Sequence, residues 1–384
     1  MSASETWGWL VTMTEPVRMY DLSSSFTVGR DPSLCTLFID EDLFERIGIN
    51  FKNEKYVGIS RRHFEIEKKD GEASAVITDL SMNGTWVNGV RVGKDKQMIL
   101  AHCSVISLFD LDGDCFSFLD RNTMVAIFPS CLTRKYIVGG ILGKGTTSEV
   151  RMGYVKEDNE IKTYALKILS TKDDCSEFSD LADSAVEIQI MSTVSHPCIL
   201  KLHEVITGED KIILVMEHAV GGELFEAVVN DRNANRISEH TTKAYFYQIV
   251  HCVNYLHRRK LCHRDLKLEN ILLGGEKIGK ISIIKVADFG FSKYWNGDSG
   301  ALRTYGGTPV YMAPEVSQLE HGEQSYYPTA TRWTAGLLAS SSTPCCAAGD
   351  HSPPGLTSTP RLWPGDTVLW RGHSGKTSRP RPRT

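Results

Sequence analysis

Two sets of residues in this chain have the types and spacing to do chemistry. The longer begins at Gly143-x-Gly145-x-x-Ser148-x-Val150 and passes through Lys167 in the alternating segment Tyr164-Ala-Leu-Lys167. It continues with Glu187 in the helical stretch FSDLADSAVEIQIMSTV, then His263-Arg-Asp265, Lys267, Asn270, Asp288-Phe-Gly290 and Ala313-Pro-Glu315. Glycines let backbone N–H groups approach a phosphate closely, an ammonium neutralises it, and carboxylate and amide oxygens are the hard donors that magnesium takes. Alone, the glycine turn is a weak sign, because such turns are common and Ser148 replaces a third glycine. The shorter set sits at three loop tips: Gly29-Arg30, Ser60-Arg61-Arg62-His63, and Asn83-Gly84-Thr85, which opens a segment ending at Asn88-Gly89. A dianionic phosphate needs a guanidinium that bonds two oxygens, with hydroxyl and amide donors on rigid turns. Each tip taken singly also reads as a plain turn or a solvated edge.

The elements that must position these residues differ in kind. WGWLVTM, SFTVGR, RRHFEIEKK, ASAVITDL and GTWVNGVRV are short alternating segments punctuated by Gly, Asn, Asp and Ser, which predicts an all-β sandwich over residues 6–120. Residues 121–135 read as a linker. From Tyr136 the order is strand, glycine turn, strand and helix; KIILVMEHAVGGELF then runs from a strand into a hinge. HTTKAYFYQIVHCVNYLHRRK has apolar residues at helical spacing, so His251 and His257 on it are expected to be structural or solvated.

Bulk properties exclude some classes. The 384 residues suffice for two domains, and Lys+Arg 43 against Asp+Glu 47 leaves a net charge of -4, so no global attraction to nucleic acid or membrane is expected. Ten cysteines without C-x-x-C spacing argue for a reducing compartment without structural disulfides or zinc. No apolar run approaches the length of a membrane span, and MSASETWGWLV is too polar for a leader. A nuclear or cytoplasmic protein is expected.

The three loop clusters, in this order and spacing, resemble the forkhead-associated domain, a sandwich that reads phosphothreonine. The resemblance implies that Arg30, Ser60 and Arg61 hold the phosphate, that Asn83 bonds the peptide backbone, and that Gly29, His63 and Gly84 shape the loops. The longer set resembles the protein-kinase signature, element by element. It implies an α+β kinase domain over residues 136–328 that uses ATP and Mg2+. Lys167, held by Glu187, is then expected on the α and β phosphates, Asp265 as acceptor of the substrate hydroxyl proton, and Asn270 and Asp288 on magnesium. Lys267 is the choice of serine/threonine kinases. Gly143 and Gly145 belong to the phosphate loop. Leu142, Val150, Ala165, Met216 and Leu272 are expected around adenine, Glu217 and Ala219 to bond it through the backbone, and Glu223 to approach the ribose.

Arg264, next to Asp265, wants an anion to order the activation loop, and Thr304 is the expected phosphosite. Thr308 either shapes the substrate shelf or is a second site. Thr304→Ala is expected to lower phosphate incorporation. A forkhead-associated domain before a kinase, with GGELF after the hinge and L-R-T-x-x-G-T-P before the Ala-Pro-Glu, resembles the checkpoint effector kinases of the DNA-damage response. That implies phosphothreonine proteins and Ser/Thr substrates as partners and a phosphorylation-dependent homodimer, without direct nucleic-acid or membrane binding. The chain departs from the pattern before Trp7, which no Ser-Gln or Thr-Gln precedes.

A second departure follows Glu315. From Ser317 onward there is no Ile, Phe or Asn, and more than half of the chain's 14 prolines fall there. Such a segment does not build apolar helices, so the kinase C-lobe is expected to be incomplete and residues 329–384 a disordered tail. Trp333 has Thr331 where kinases carry the Asp of Asp-x-Trp. Two classes of function follow: a working serine/threonine kinase, or a phosphothreonine-binding adaptor with a truncated kinase. A frame shift or splice change near Tyr327 to Arg332 accounts for the tail. Another reading frame of the coding DNA should then yield an Asp-x-Trp helix and further apolar helices; if neither frame does, that origin is wrong.

Overall fold

The structure, a computed structural model, describes residues 5–47, 58–69, 71–108, 114–145, 148–157, 160–170, 179–229 and 237–294, with Gly307, Thr308 and Tyr311. Thr304, the Ala313–Glu315 motif and the tail lie outside the described residues.

The N-terminal part is a sandwich of two sheets. One has six strands in the order Met19–Leu22, Gly8–Thr12, Asp114–Asp120, Ser104–Leu108, Thr85–Val87, Val90–Arg91. The other has five, in the order Leu37–Phe38, Phe26–Gly29, Phe64–Glu67, Ala75–Asp79, Gln97–Leu100. Alternation predicts which residues face inward, because successive strand side chains point to opposite faces. Phe64 and Ile66 are fully buried while Glu65 and Glu67 are not, and Ile77 joins them across the same sheet. Leu10, Ile106, Phe116 and Phe118 fill the core from the facing sheet, where Phe64 meets Phe116 edge-on at 6.3 Å between ring centres.

The second part opens with an antiparallel sheet of five strands, ordered Ile137–Lys144, Ser148–Glu157, Glu160–Ser170, Lys211–Glu217, Leu202–Thr207. Both of its faces are covered. Ala165, Leu169, Leu214 and Met216 belong to the cluster shared with helices Ser179–Thr193 and Glu239–Arg258, while Leu166, Ile168, Ile213 and Val215 belong to a separate one. Helix Glu239–Arg258 starts at Ser238, whose hydroxyl accepts from Thr241 N at 3.1 Å, and ends with His257 and Arg258 against the C-terminal dipole. Its buried residues, Tyr245, Ile249, Cys252, Val253 and Leu256, form the stripe that the sequence spacing predicts. They pack beneath the hairpin of strands Ile271–Ile278 and Ile281–Val286.

Residues 121–135, expected as a linker, fold into two short helices, Arg121–Ile127 and Ser130–Thr133. Asp120 caps the first by accepting from Thr123 N at 2.7 Å, and its other carboxylate oxygen receives the buried Lys68 ammonium at 3.1 Å. The helices carry Met124, Phe128, Leu132 and, just after them, Tyr136 into the second face of the kinase sheet. Trp9, Val11, Met19 and Leu119 of the sandwich complete that cluster. The spacing of Met124, Phe128 and Leu132 was the available sign that this segment is not a free spacer. Phe128 is buried with two cations near its ring, the Arg151 guanidinium at 5.2 Å and the Lys211 ammonium at 5.7 Å from the ring centre.

Phe128→Ala should therefore destabilise the chain by about 3–5 kcal/mol, read as a lower urea midpoint by tryptophan fluorescence. A change below about 1 kcal/mol would show that the ring anchors nothing.

Candidate functional site

The first group of site residues is brought together across the sheet. Lys167 pairs with Leu214 in register, and its ammonium lies 2.6 Å from Glu187 of helix Ser179–Thr193 and 3.4 Å from Asp288. Burial works against the Lys167 charge, but attraction to Glu187 and Asp288 outweighs it and holds the pKa above the usual lysine range. Burial likewise resists ionisation of Asp288, yet the Lys167 charge brings its pKa below the ordinary aspartate value. The carboxyl of Glu187 is pushed up by burial against the pull of Lys167.

The second group surrounds Asp265, which is 1% exposed. Its Oδ1 accepts from Thr308 N at 2.8 Å and from the Thr308 hydroxyl at 2.7 Å. Its Oδ2 receives Lys267 Nζ at 3.0 Å and Asn270 Nδ2 at 2.9 Å. Lys267 also donates to the Thr308 hydroxyl oxygen at 2.8 Å. Asn270 spends its amide nitrogen on Asp265, including the carbonyl at 2.9 Å, so its amide oxygen is the atom left for a cation. His263 donates from Nε2 to Ala287 O at 3.0 Å and meets the Phe289 ring at a tilt, 4.9 Å between centres, while burial lowers its pKa below the usual histidine value. Arg264 bonds Phe291 O at 2.7 Å. Arg264 and Asp288 both hold left-handed backbone, at φ 68° and 60°, a strain of about 1–3 kcal/mol each that the surrounding bonds maintain.

The residues expected around adenine form an apolar surface. Ala165, Met216 and Ala219 are buried in one cluster, with Val150 and Leu272 packed against it, whereas Leu142 is 46% exposed at the rim. Glu223 bridges to Leu272 through the backbone. Gly145 N donates to Ser148 O at 2.8 Å, and a Cβ added at Gly143 would meet nothing within 4 Å, which leaves its backbone open to a ligand. An apolar cluster with Leu142 at its edge, open backbone at Gly143, the Lys167 ammonium and the oxygens of Asn270 and Asp288 have the chemistry that a magnesium-bound nucleotide needs.

The sandwich loops form a second centre. A Cβ at Gly29 would lie 2.9 Å from Cys35 Sγ and collide with Arg61 O, so only glycine lets the two loops meet. Arg30 N and Asp31 N donate to Ser60 O and Arg61 O at 3.1 and 3.2 Å. The Ser60 hydroxyl accepts from Met82 N at 3.0 Å and keeps its own proton to give, while Asn83 donates to Gly58 O at 2.8 Å. Arg30 is exposed. Arg61 is different: its Nε and one terminal nitrogen contact Asp31 at 2.8 and 2.6 Å, so one edge of this guanidinium is already taken. The Ser33 hydroxyl and Arg61 lower the Asp31 pKa to about 2. Sequence reasoning did not include Asp31; its adjacency to Arg30 was the only sign.

Behind the loops, Asp79 accepts from the Ser81 and Thr85 hydroxyls at 2.6 and 2.9 Å, and Ser81 Oγ accepts from Gly84 N at 2.8 Å. His63 accepts Ser60 N on Nδ1 at 3.2 Å and donates from Nε2 to Gly84 O at 3.1 Å. Burial lowers its pKa below 6.5. The unfolded chain therefore binds the extra proton first, so the stability that His63 contributes is full above pH 6.5 and is lost as pH falls from there through the folded value. An NMR titration should place the folded His63 midpoint below 6.5; a midpoint at or above it contradicts this wiring.

Comparison with known proteins agrees with this geometry. Residues 136–345 match the protein kinase domain and residues 26–109 the FHA domain. The ovarian-specific serine/threonine-protein kinase Lok of Drosophila melanogaster is 34% identical over 82% of this chain and 64% of its own length. The serine/threonine-protein kinase chk-2 of Caenorhabditis elegans is 30% identical over 88% of this chain and 69% of its own. The probable serine/threonine-protein kinase fhkD of Dictyostelium discoideum is 36% identical over 62% of this chain, which spans 32% of that relative. Of Lok and fhkD, then, the chain covers less than two thirds. With a kinase domain matched over more than half of its residues behind an FHA domain, the chain belongs to the protein kinase family, among the FHA-bearing kinases of the Lok and chk-2 type.

Proposed function

We propose that this chain is a serine/threonine protein kinase of the DNA-damage checkpoint type, placing the γ-phosphoryl group of ATP on a protein Ser or Thr hydroxyl. One observation carries the reading. An aliphatic hydroxyl, that of Thr308, already sits 2.7 Å from Asp265 Oδ1 and 2.8 Å from Lys267 Nζ, the surroundings an acceptor hydroxyl needs. Asp265 orients the incoming hydroxyl and takes its proton, and Lys267 balances the charge that grows beside it. Lys167, steadied by Glu187, holds the α and β phosphates, and Asn270 and Asp288 hold magnesium. Magnesium-bound ATP, when present, supplies the phosphoryl group and the charge neutralisation.

The sandwich recruits partners by their phosphothreonine. Arg30, the free edge of Arg61 and the Ser60 hydroxyl hold the phosphate, and Asn83 bonds the peptide backbone. A phosphothreonine on a second copy makes the same loops a dimerisation device. The expected compartment is the nucleus, with a cytoplasmic share.

Magnesium-dependent transfer from labelled ATP to a Ser/Thr peptide tests the enzyme, and Asp265→Asn should lower it by about 10²- to 10⁴-fold. Arg30→Ala should weaken phosphothreonine-peptide binding by about tenfold or more. Phosphopeptide binding by a chain that transfers no phosphate would overturn the kinase reading and leave an adaptor.

A further inference from the structure

Lys285 stands three residues before Asp288, and none of the chemistry above uses it. Its side chain is 7% exposed, and the ammonium lies 2.6 Å from Glu217 Oε1. Glu217 closes strand Lys211–Glu217, where the chain enters the hinge. An ammonium withdrawn from water is costly unless well paired, so this placement is not incidental. The stem is accommodated as well: a Cβ on Gly274 would stand 3.1 Å from Lys285 Cε and 2.9 Å from Ile283 O.

The same two elements are joined a second time. Val286 N donates to Cys198 O at 2.8 Å and Leu200 N to Val286 O at 3.0 Å. One residue on, Glu217 N donates to Lys201 O at 2.8 Å, and Lys201 N donates to Glu217 Oε2 at 3.3 Å. Segment Cys198–Lys201 thus bonds both the hinge end of one strand and the Asp288 end of the other, and the Lys285–Glu217 pair closes the circuit. Gln248 of helix Glu239–Arg258 steadies strand Ile281–Val286, accepting from Ile284 N at 3.0 Å and donating to Ser282 O at 3.3 Å.

We infer that the Lys285–Glu217 pair is a brace that sets the separation between the adenine hinge and the metal-binding Asp288, and with it the affinity for metal-bound nucleotide. The inference rests on the nucleotide-site reading given above. Lys285 is a positioning residue: it acts through Glu217 and Asp288. Adenosine reaches the hinge alone, whereas a magnesium-bound triphosphate must span hinge and metal at once. Loss of the brace therefore penalises the second ligand and spares the first.

Calorimetric titration of the full chain with a non-hydrolysable ATP analogue plus magnesium, and separately with adenosine, reads this difference. Lys285→Met, which keeps the stem and removes the charge, should lose about tenfold for the magnesium-bound analogue and less than about twofold for adenosine. Lys285→Arg should restore most of the loss. Equal losses for the two ligands, or no loss, would overturn the brace while leaving the nucleotide site intact. A wild-type chain that binds neither ligand would instead overturn the nucleotide-site reading, and the brace with it.

Discussion

A carboxylate shut away from water must find a donor for each oxygen, and Asp265 is the group on which this constraint falls hardest. Several kcal/mol would be lost if it were left unpaired. Its two oxygens draw in Lys267, Asn270 and both the backbone and the hydroxyl of Thr308, a residue 43 positions away. Asn270 in turn accepts Ala287 N on its carbonyl at 2.9 Å, which brings Asp288 to the same centre. The left-handed turns at Arg264 and Asp288 are tolerated because the network leaves the chain no better path.

The sandwich meets the opposite problem. A chain of net charge -4 has no overall pull on a phosphate, so in the function proposed for the sandwich the attraction is local, from Arg30 and Arg61. Asp31 takes back part of that charge and, at the same time, fixes the direction in which Arg61 points. The loops are held for reasons unrelated to charge on a ligand: a glycine where two backbones nearly touch, a buried histidine bonded at both ring nitrogens, and Asp79 gathering the hydroxyl and backbone N–H donors of both Ser81 and Thr85 behind them.

Much of this was legible from residue order. Period-two alternation announced the strand Phe64–Glu67, and 3.6-residue spacing announced the helix Glu239–Arg258, because each element buries one face and local geometry dictates which residues share it. Lys167, Glu187 and Asp288 were legible only as members of a family signature. Their separations of 20 and 121 residues hold no distance information, and only the fold brings them together. Asp31 and Lys285 escaped notice because an Asp beside an Arg, or a Lys in a strand, is ordinarily a solvated charge. What makes them special is a partner supplied by another element. Residues 121–135 read as a spacer in the sequence because a short, mixed segment between two domains usually is one; their apolar positions have meaning only against the back of the kinase sheet that they cover.

That cover has a consequence for how such chains can vary. A helix advances about 100° per residue, so one residue inserted or removed between Asp120 and Phe128 would turn the Phe128 ring away from Arg151 and Lys211. The length of the segment, as well as the apolar identity of Met124, Phe128 and Leu132, is therefore held by the packing on both sides of it.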